Sequence, residues 1–102
     1  MPTFRTISAP DARTLLADPR TQLVDIRDEL TYRQGHIEGA VHIDNDSVGG
    51  FMSGADKAAP LIVCCYHGIS SQGVAQFFCD QGFGEVYSLN GGFEGWKALY
   101  PA

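Results

Sequence analysis

The chain has 102 residues, 44% of them apolar and 11% aromatic, which is enough for one compact domain with its own core and too hydrophobic for a disordered segment. Seven Lys plus Arg against twelve Asp plus Glu leave a formal charge of -5 with no basic block, which excludes a nucleic-acid binder, since phosphate contacts need clustered cations. No apolar run approaches the ~20 residues of a membrane span, and the opening Met1-Pro2-Thr3-Phe4-Arg5 lacks the positive segment and hydrophobic run of a secretory leader, so the expectation is a single cytosolic domain over residues 1–102.

Strands and helices alternate along the chain. Phe4 to Ile7 reads as a short strand, and Ser8-Ala9-Pro10-Asp11 resembles a capping box: a hydroxyl at the cap, an acid three residues on and proline inside the first turn. Ala12, Leu15 and Leu16 give that helix its apolar face. A strand over Gln22 to Ile26 is followed by a short helix from about Glu29 to Arg33, stopped at Gly35. Val41 to Ile43 is a brief strand. Asp44 to Gly54 is turn-rich, with one helical turn expected around Ser47 to Met52, and its Phe51 and Met52 are expected to make a satellite core contact. Leu61-Ile62-Val63-Cys64 is the most apolar strand of the chain.

Ser70 to Gln81 then carries Val74, Ala75, Phe77 and Phe78 at helical spacing, with Gly82 as C-terminal stop. Val86 to Leu89 is the fifth strand, and Asn90-Gly91-Gly92 turns into a last helix that runs to Leu99 and is halted by Pro101, with Trp96 expected to pack it on the sheet. Continuous apolar strands separated by helices predict an α/β fold with a buried, mostly parallel five-stranded sheet and helices on both faces. In such sheets ligands bind where strand C-termini meet helix N-termini.

One of these junctions holds a pair of cysteines, Cys64 and Cys65; with Cys79 they are the three cysteines of the chain. An odd number without C-x-x-C spacing predicts reduced thiols rather than a disulfide framework. A metal site from Cys64, Cys65 and His67 is disfavoured because adjacent strand residues point to opposite faces; no metal and no cofactor are expected. A strand ending at Cys64, a turn through Gly68 and a helix starting near Ser70 would aim backbone N–H groups and a helix N-terminus at a sulfur held between them, lowering its pKa and cradling whatever anion it carries. Cys79, in mid-helix beside Phe77 and Phe78, and Cys64, inside the strand, read as small core residues. Cys65 stands where the strand gives way, and the residues by themselves leave it open between nucleophile and core.

The stretch Cys65-Tyr66-His67-Gly68-Ile69-Ser70 resembles the active-site loop of rhodanese sulfurtransferases, in which Cys is followed by two variable residues, Gly, one variable residue and Ser or Thr. Three further segments match in the same order, "LVDIRD" at 23–28, "GHIEGA" at 35–40 and "GGFEGW" at 91–96. The resemblance implies a doubly wound rhodanese-like domain with a ping-pong mechanism. A Cys65 thiolate takes the outer sulfur of thiosulfate as a persulfide and passes it to cyanide or to a dithiol such as thioredoxin. The backbone N–H groups of Tyr66, His67, Gly68, Ile69, Ser70 and Ser71 would hold the persulfide, with Ser70 Oγ as an extra donor.

By the same resemblance Asp25 and Arg27 brace the active-site face and His36 makes an orienting hydrogen bond. His42 has no evident partner. His67 reads either as a positive charge near thiosulfate or as a solvated loop histidine, and Tyr66 and His67 stand where many rhodaneses carry Arg or Lys. Phosphatases and arsenate reductases of this fold use a loop one residue longer, closed by an arginine that clamps phosphate; Ser71 occupies that position. A carrier that hands its persulfide to one protein partner is the other alternative, and the oligomeric state is left open.

Overall fold

The computed structural model describes residues 3–101. Five strands, β1 Arg5–Ile7, β2 Gln22–Asp25, β3 Val41–His42, β4 Leu61–Cys64 and β5 Val86–Leu89, alternate with five helices, α1 Ala9–Leu15, α2 Glu29–Gln34, α3 Val48–Gly54, α4 Ser70–Asp80 and α5 Gly92–Leu99. The strands form one sheet in the order β1-β5-β4-β2-β3, and every pairing in it is parallel.

The apolar runs explain this order. All four residues of β4 are buried, as a central parallel strand covered on both sides requires. Side chains alternate across it: Leu61 and Val63 join a core with Val24, Ala75, Phe78, Cys79, Phe83 and Val86, while Ile62 and Cys64 join one with Ala12, Leu23, Ile37, Ala40 and Leu89. Burying each of the larger aliphatic side chains of β4 contributes about 1.5–3 kcal/mol. Val74 of α4 and Val48, Phe51 and Met52 of α3 close the first core; Leu15 of α1, Tyr32 of α2 and Phe93 and Trp96 of α5 close the second.

Local chemistry sets the helix ends. Ser8 Oγ accepts the Asp11 N–H at 3.2 Å and Asp28 Oδ2 accepts the Thr31 N–H at 3.0 Å, so α1 and α2 are capped. Gly82, at φ 99°, follows the last turn of α4. Segment 44–54 departs from expectation: it contains a seven-residue helix rather than one turn. Three glycines make α3 a poor helix on propensity, and Phe51 holds it down by stacking on Phe83 and meeting Phe78 edge-on.

The connections from β2 and β4 leave in opposite directions, β2 leading outward to β3 and β4 to β5 on the other side. The carboxyl ends of β2 and β4 therefore form the topological switch point where this class of sheet binds ligands. Asp25 and Cys64 are register partners there.

Candidate active site

Cys65 follows β4 directly and is 2% exposed, so its sulfur sits at the floor of the loop that leads into α4. Gly68 N–H donates to Sγ at 3.1 Å, and Sγ lies 3.2 Å from Ser71 Oγ. Unlike α1 and α2, α4 has no side-chain cap, which leaves its first N–H groups for an anion.

The loop's carbonyls are turned the other way. Phe93 N–H donates to Cys65 O at 2.8 Å and Glu94 N–H to Tyr66 O at 3.1 Å, while Gln72 Nε2 donates to Gly68 O at 3.0 Å. With the acceptors engaged behind the loop, the N–H groups of His67, Gly68 and Ser71 face the sulfur. Two glycines permit this approach. Gly68 has φ 88°, and a Cβ on it would lie 2.8 Å from Gly91 N and 2.9 Å from Leu89 O. Gly92 has φ 57°, and its Cβ would lie 2.5 Å from Cys65 O.

The two adjacent cysteines have opposite character. Burial works against a Cys65 thiolate, but hydrogen bonds from the Ser71 hydroxyl and from the Ser71, Gly68 and His67 N–H groups outweigh it, and the thiol is held below its ordinary value. Cys64 is pushed far up by burial and by the Asp25 carboxylate. Cys79 is also raised, chiefly by burial, and packs in the first core. Half-maximal alkylation of Cys65 by iodoacetamide is therefore expected below the ~8.5 of a free thiol, with Cys64 unmodified there. A Cys65 midpoint at or above that value contradicts the donor arrangement. Because the folded value is the lower one, the thiolate's contribution to stability is complete above the unfolded thiol's pKa and is lost as pH falls through the folded one.

Beside the loop, Arg27 is buried against Asp25. Its Nε donates to both carboxylate oxygens at 3.0 Å and its Nη2 to Oδ2 at 2.7 Å. Nη2 also reaches Gly35 O at 2.7 Å. The guanidinium lies 4.3 Å from the Phe93 ring centroid and 5.9 Å from that of Tyr66, so it ties β2, the end of α2, the loop and α5 together. Burial opposes its charge, yet Asp25 more than offsets this and raises its pKa. His42 Nε2–H donates to Arg27 O at 2.6 Å, which supplies the partner that its sequence context does not reveal. On the outer side of the loop Tyr66 OH donates to the Asp28 carboxylate, which holds that acid well below the usual carboxylate range together with Thr31.

The remaining expected site residues are placed as follows. The hydroxyl at the sulfur belongs to Ser71, not to Ser70, whose side chain is exposed at the start of α4. His67 and Ile69 are exposed, and His67 meets the sulfur through its backbone N–H. His36 is exposed, stacked on Tyr32 at 3.8 Å with its Nδ1–H donating to Tyr32 O at 2.8 Å, so its contacts belong to α2 rather than to the loop. Among the described residues no cluster of His, Cys, Asp and Glu could hold a metal ion, and no helix is long and apolar enough to cross a membrane.

A reduced cysteine in a ring of backbone donors at the β2/β4 switch point is matched by a family model described as Rhodanese-like domain, over residues 8–99. The chain belongs to the rhodanese family. It is 54% identical to the thiosulfate sulfurtransferase GlpE of Pseudomonas paraeruginosa, over 98% of this chain and 90% of that protein. It is 53% identical, with the same coverage, to the GlpE of Pseudomonas aeruginosa strain LESB58. Among solved structures, the rhodanese-like domain of an Anabaena protein superposes with a TM-score of 0.82 at 28% identity, covering 92% of this chain and 74% of that one.

Within this rhodanese domain two contributors escape a local reading. Gly92 lies in the matched "GGFEGW" segment, but its packing on Cys65 O joins positions far apart in the chain. Ser88 hydrogen-bonds Ser71 at 2.7 Å; its only signal is a hydroxyl inside the apolar strand Val86-Tyr87-Ser88-Leu89.

Proposed function

We propose that the protein is a single-domain thiosulfate sulfurtransferase working by a ping-pong mechanism on Cys65. The Cys65 thiolate attacks the sulfane sulfur of thiosulfate; the S–S bond of thiosulfate breaks, sulfite leaves with the bonding electrons, and Cys65 carries a persulfide. Cyanide then takes the outer sulfur as thiocyanate and returns the thiolate. A dithiol such as thioredoxin would instead take the outer sulfur on one thiol as its own persulfide, with the Cys65 thiolate as leaving group; its second thiol then attacks the inner sulfur of that persulfide, closing a disulfide and releasing hydrogen sulfide.

The observation that carries this reading is the set of donors around the sulfur: backbone N–H groups and a serine hydroxyl, with no Arg or Lys in the loop. Dispersed neutral donors suit a persulfide monoanion, while a phosphate dianion calls for a bidentate guanidinium. Ser71, where a phosphatase loop would place that arginine, is wholly buried and engaged with Cys65 and Ser88. In this reading Tyr66, His67, Gly68, Ile69, Ser70 and Ser71 line the persulfide with their N–H groups. Asp25 and Arg27 hold the loop's neighbours in place, and His36 orients the end of α2. The names of the GlpE relatives support the choice of thiosulfate, and reduced thiols fit a cytosolic setting.

Thiocyanate formation from thiosulfate and cyanide is the direct test. Turnover by the native chain and by Cys64→Ala, none by Cys65→Ala, and none toward p-nitrophenyl phosphate is the expected pattern. Phosphate release without thiocyanate would overturn it. A persulfide carrier is favoured by one observation: Ile69 is 77% exposed in the loop and Tyr66 is exposed beside it, an apolar rim suited to a protein acceptor. Transfer to thioredoxin far faster than to cyanide would select the carrier.

A further inference from the structure

Ser88 is a buried hydroxyl that the sulfur-transfer reading leaves without a role. It lies in β5, between Thr6 of β1 and Val63 of β4 in register, and is 1% exposed. Its neighbours along the strand, Tyr87 and Leu89, pack in the second core. A serine at such a position costs desolvation that an alanine would avoid, unless its hydroxyl is paired. Among the described residues its recorded side-chain partner is Ser71 Oγ at 2.7 Å, and Ser71 Oγ is in turn 3.2 Å from Cys65 Sγ.

We propose that Ser88 is a positioning residue that acts on Cys65 through Ser71, by aiming the single Ser71 hydroxyl proton at the sulfur. Three atoms in a row, Cys65 Sγ, Ser71 Oγ and Ser88 Oγ, share the protons that decide this. With an ionised sulfur, Ser88 O–H donates to Ser71 Oγ and Ser71 O–H donates to Sγ, so both protons meet good acceptors and the second bond is charge-assisted. With a neutral thiol, three arrangements exist. S–H donates to Ser71 and Ser71 to Ser88, which leaves the Ser88 proton without an acceptor in the chain of three atoms; or S–H and Ser88 both donate to Ser71, which leaves the Ser71 proton without one; or the serines keep their direction and Ser71 donates to a thiol, a weak acceptor. Each is poorer, so the pair of serines favours the ionised sulfur. The same alignment serves the second half of the cycle, in which Cys65 departs from the transferred sulfur as a thiolate.

This inference rests on Cys65 being the reacting thiol, and its test is separate from turnover. The charged and titratable groups at this end of the sheet are Asp25 at the end of β2 and Arg27 after it, His42 in β3, Cys64 in β4, Tyr66 and His67 in the loop, Asp28 bonded to Tyr66, and Glu94 in α5. None of them is changed by substituting Ser88.

The experiment follows the pH dependence of Cys65 alkylation by iodoacetamide, located by peptide mass, in the native chain, Ser88→Ala and Ser88→Thr. Loss of one hydrogen bond of ordinary strength predicts an upward shift of about half to one pH unit in Ser88→Ala, with roughly three- to tenfold slower alkylation at pH values well below the native midpoint. Ser88→Thr, which restores a hydroxyl, is expected to return the midpoint toward the native one. A midpoint that stays put in a folded Ser88→Ala overturns the proposal and assigns Ser88 to packing alone, as does an equal shift in Ser88→Thr. If the native chain forms no thiocyanate, the sulfurtransferase reading fails, whatever the alkylation midpoints show.

Discussion

Gly92→Ala is expected to lower kcat/KM for thiocyanate formation by about a hundredfold or more, because displacements near 1 Å at a reacting centre cost on that order. The added Cβ would stand 2.5 Å from Cys65 O and 2.6 Å from both Tyr66 C and Tyr66 O, all backbone atoms with no side chain to swing aside. Those carbonyls accept the Phe93 and Glu94 N–H groups, so the methyl forces the loop off the start of α5 and turns its inner donors away from the sulfur. Stability falls too, since an L side chain at this positive φ costs about 1–2 kcal/mol and overpacking adds about 1–3 kcal/mol. Gly49→Ala is the control: it lies in α3 with open space around the new methyl, where such a change is neutral or stabilising by about 0.4–1 kcal/mol. Native turnover in Gly92→Ala would mean that α5 does not hold the loop.

Asp25→Ala is expected to destabilise the fold by about 3–5 kcal/mol, the cost of leaving a buried charge without its partner, a large part of the ~5–15 kcal/mol that holds a domain together. Asp25 is 0% and Arg27 3% exposed, so neither gains water when the other is removed. The carboxylate also accepts Arg27 N–H at 2.9 Å, and that backbone bond fixes the turn after β2. Denaturant unfolding of Asp25→Ala, Arg27→Met and the double variant measures the coupling. The double variant is expected to lose less than the two single losses together, because a matched apolar pair is less costly than half of an ion pair. Strict additivity would indicate that the two side chains act independently.

The strands were legible because their apolar runs exceed what any surface segment would carry, and Leu61 to Cys64 in particular has one stable home, the centre of a parallel sheet. Ser8 and the glycine after α4 announced helix ends through local chemistry alone. The resemblance to the rhodanese loop, with Gly68 three residues after Cys65, separates the two cysteines, and the raised Cys64 and lowered Cys65 thiols give that asymmetry a physical cause.

What escaped the sequence has a common origin in contacts between distant segments. Ser70 and Ser71 are adjacent hydroxyls, and which one reaches the sulfur depends on the rotation of α4, visible only once Ser88 of β5 is beside it. The α3 helix is held by Phe78 and Phe83, some thirty residues away, rather than by its own glycine-rich residues. His42 pairs with a backbone carbonyl, which leaves no mark on side-chain composition.

In the proposed mechanism sulfur is carried on Cys65 and nowhere else. Incubation with thiosulfate followed by intact mass spectrometry reads this out. The native chain and Cys64→Ala are expected to gain the mass of one sulfur atom, lost again on adding cyanide, and Cys65→Ala to gain nothing. Sulfur retained by Cys65→Ala, or absent from Cys64→Ala while that variant remains folded, would contradict the account.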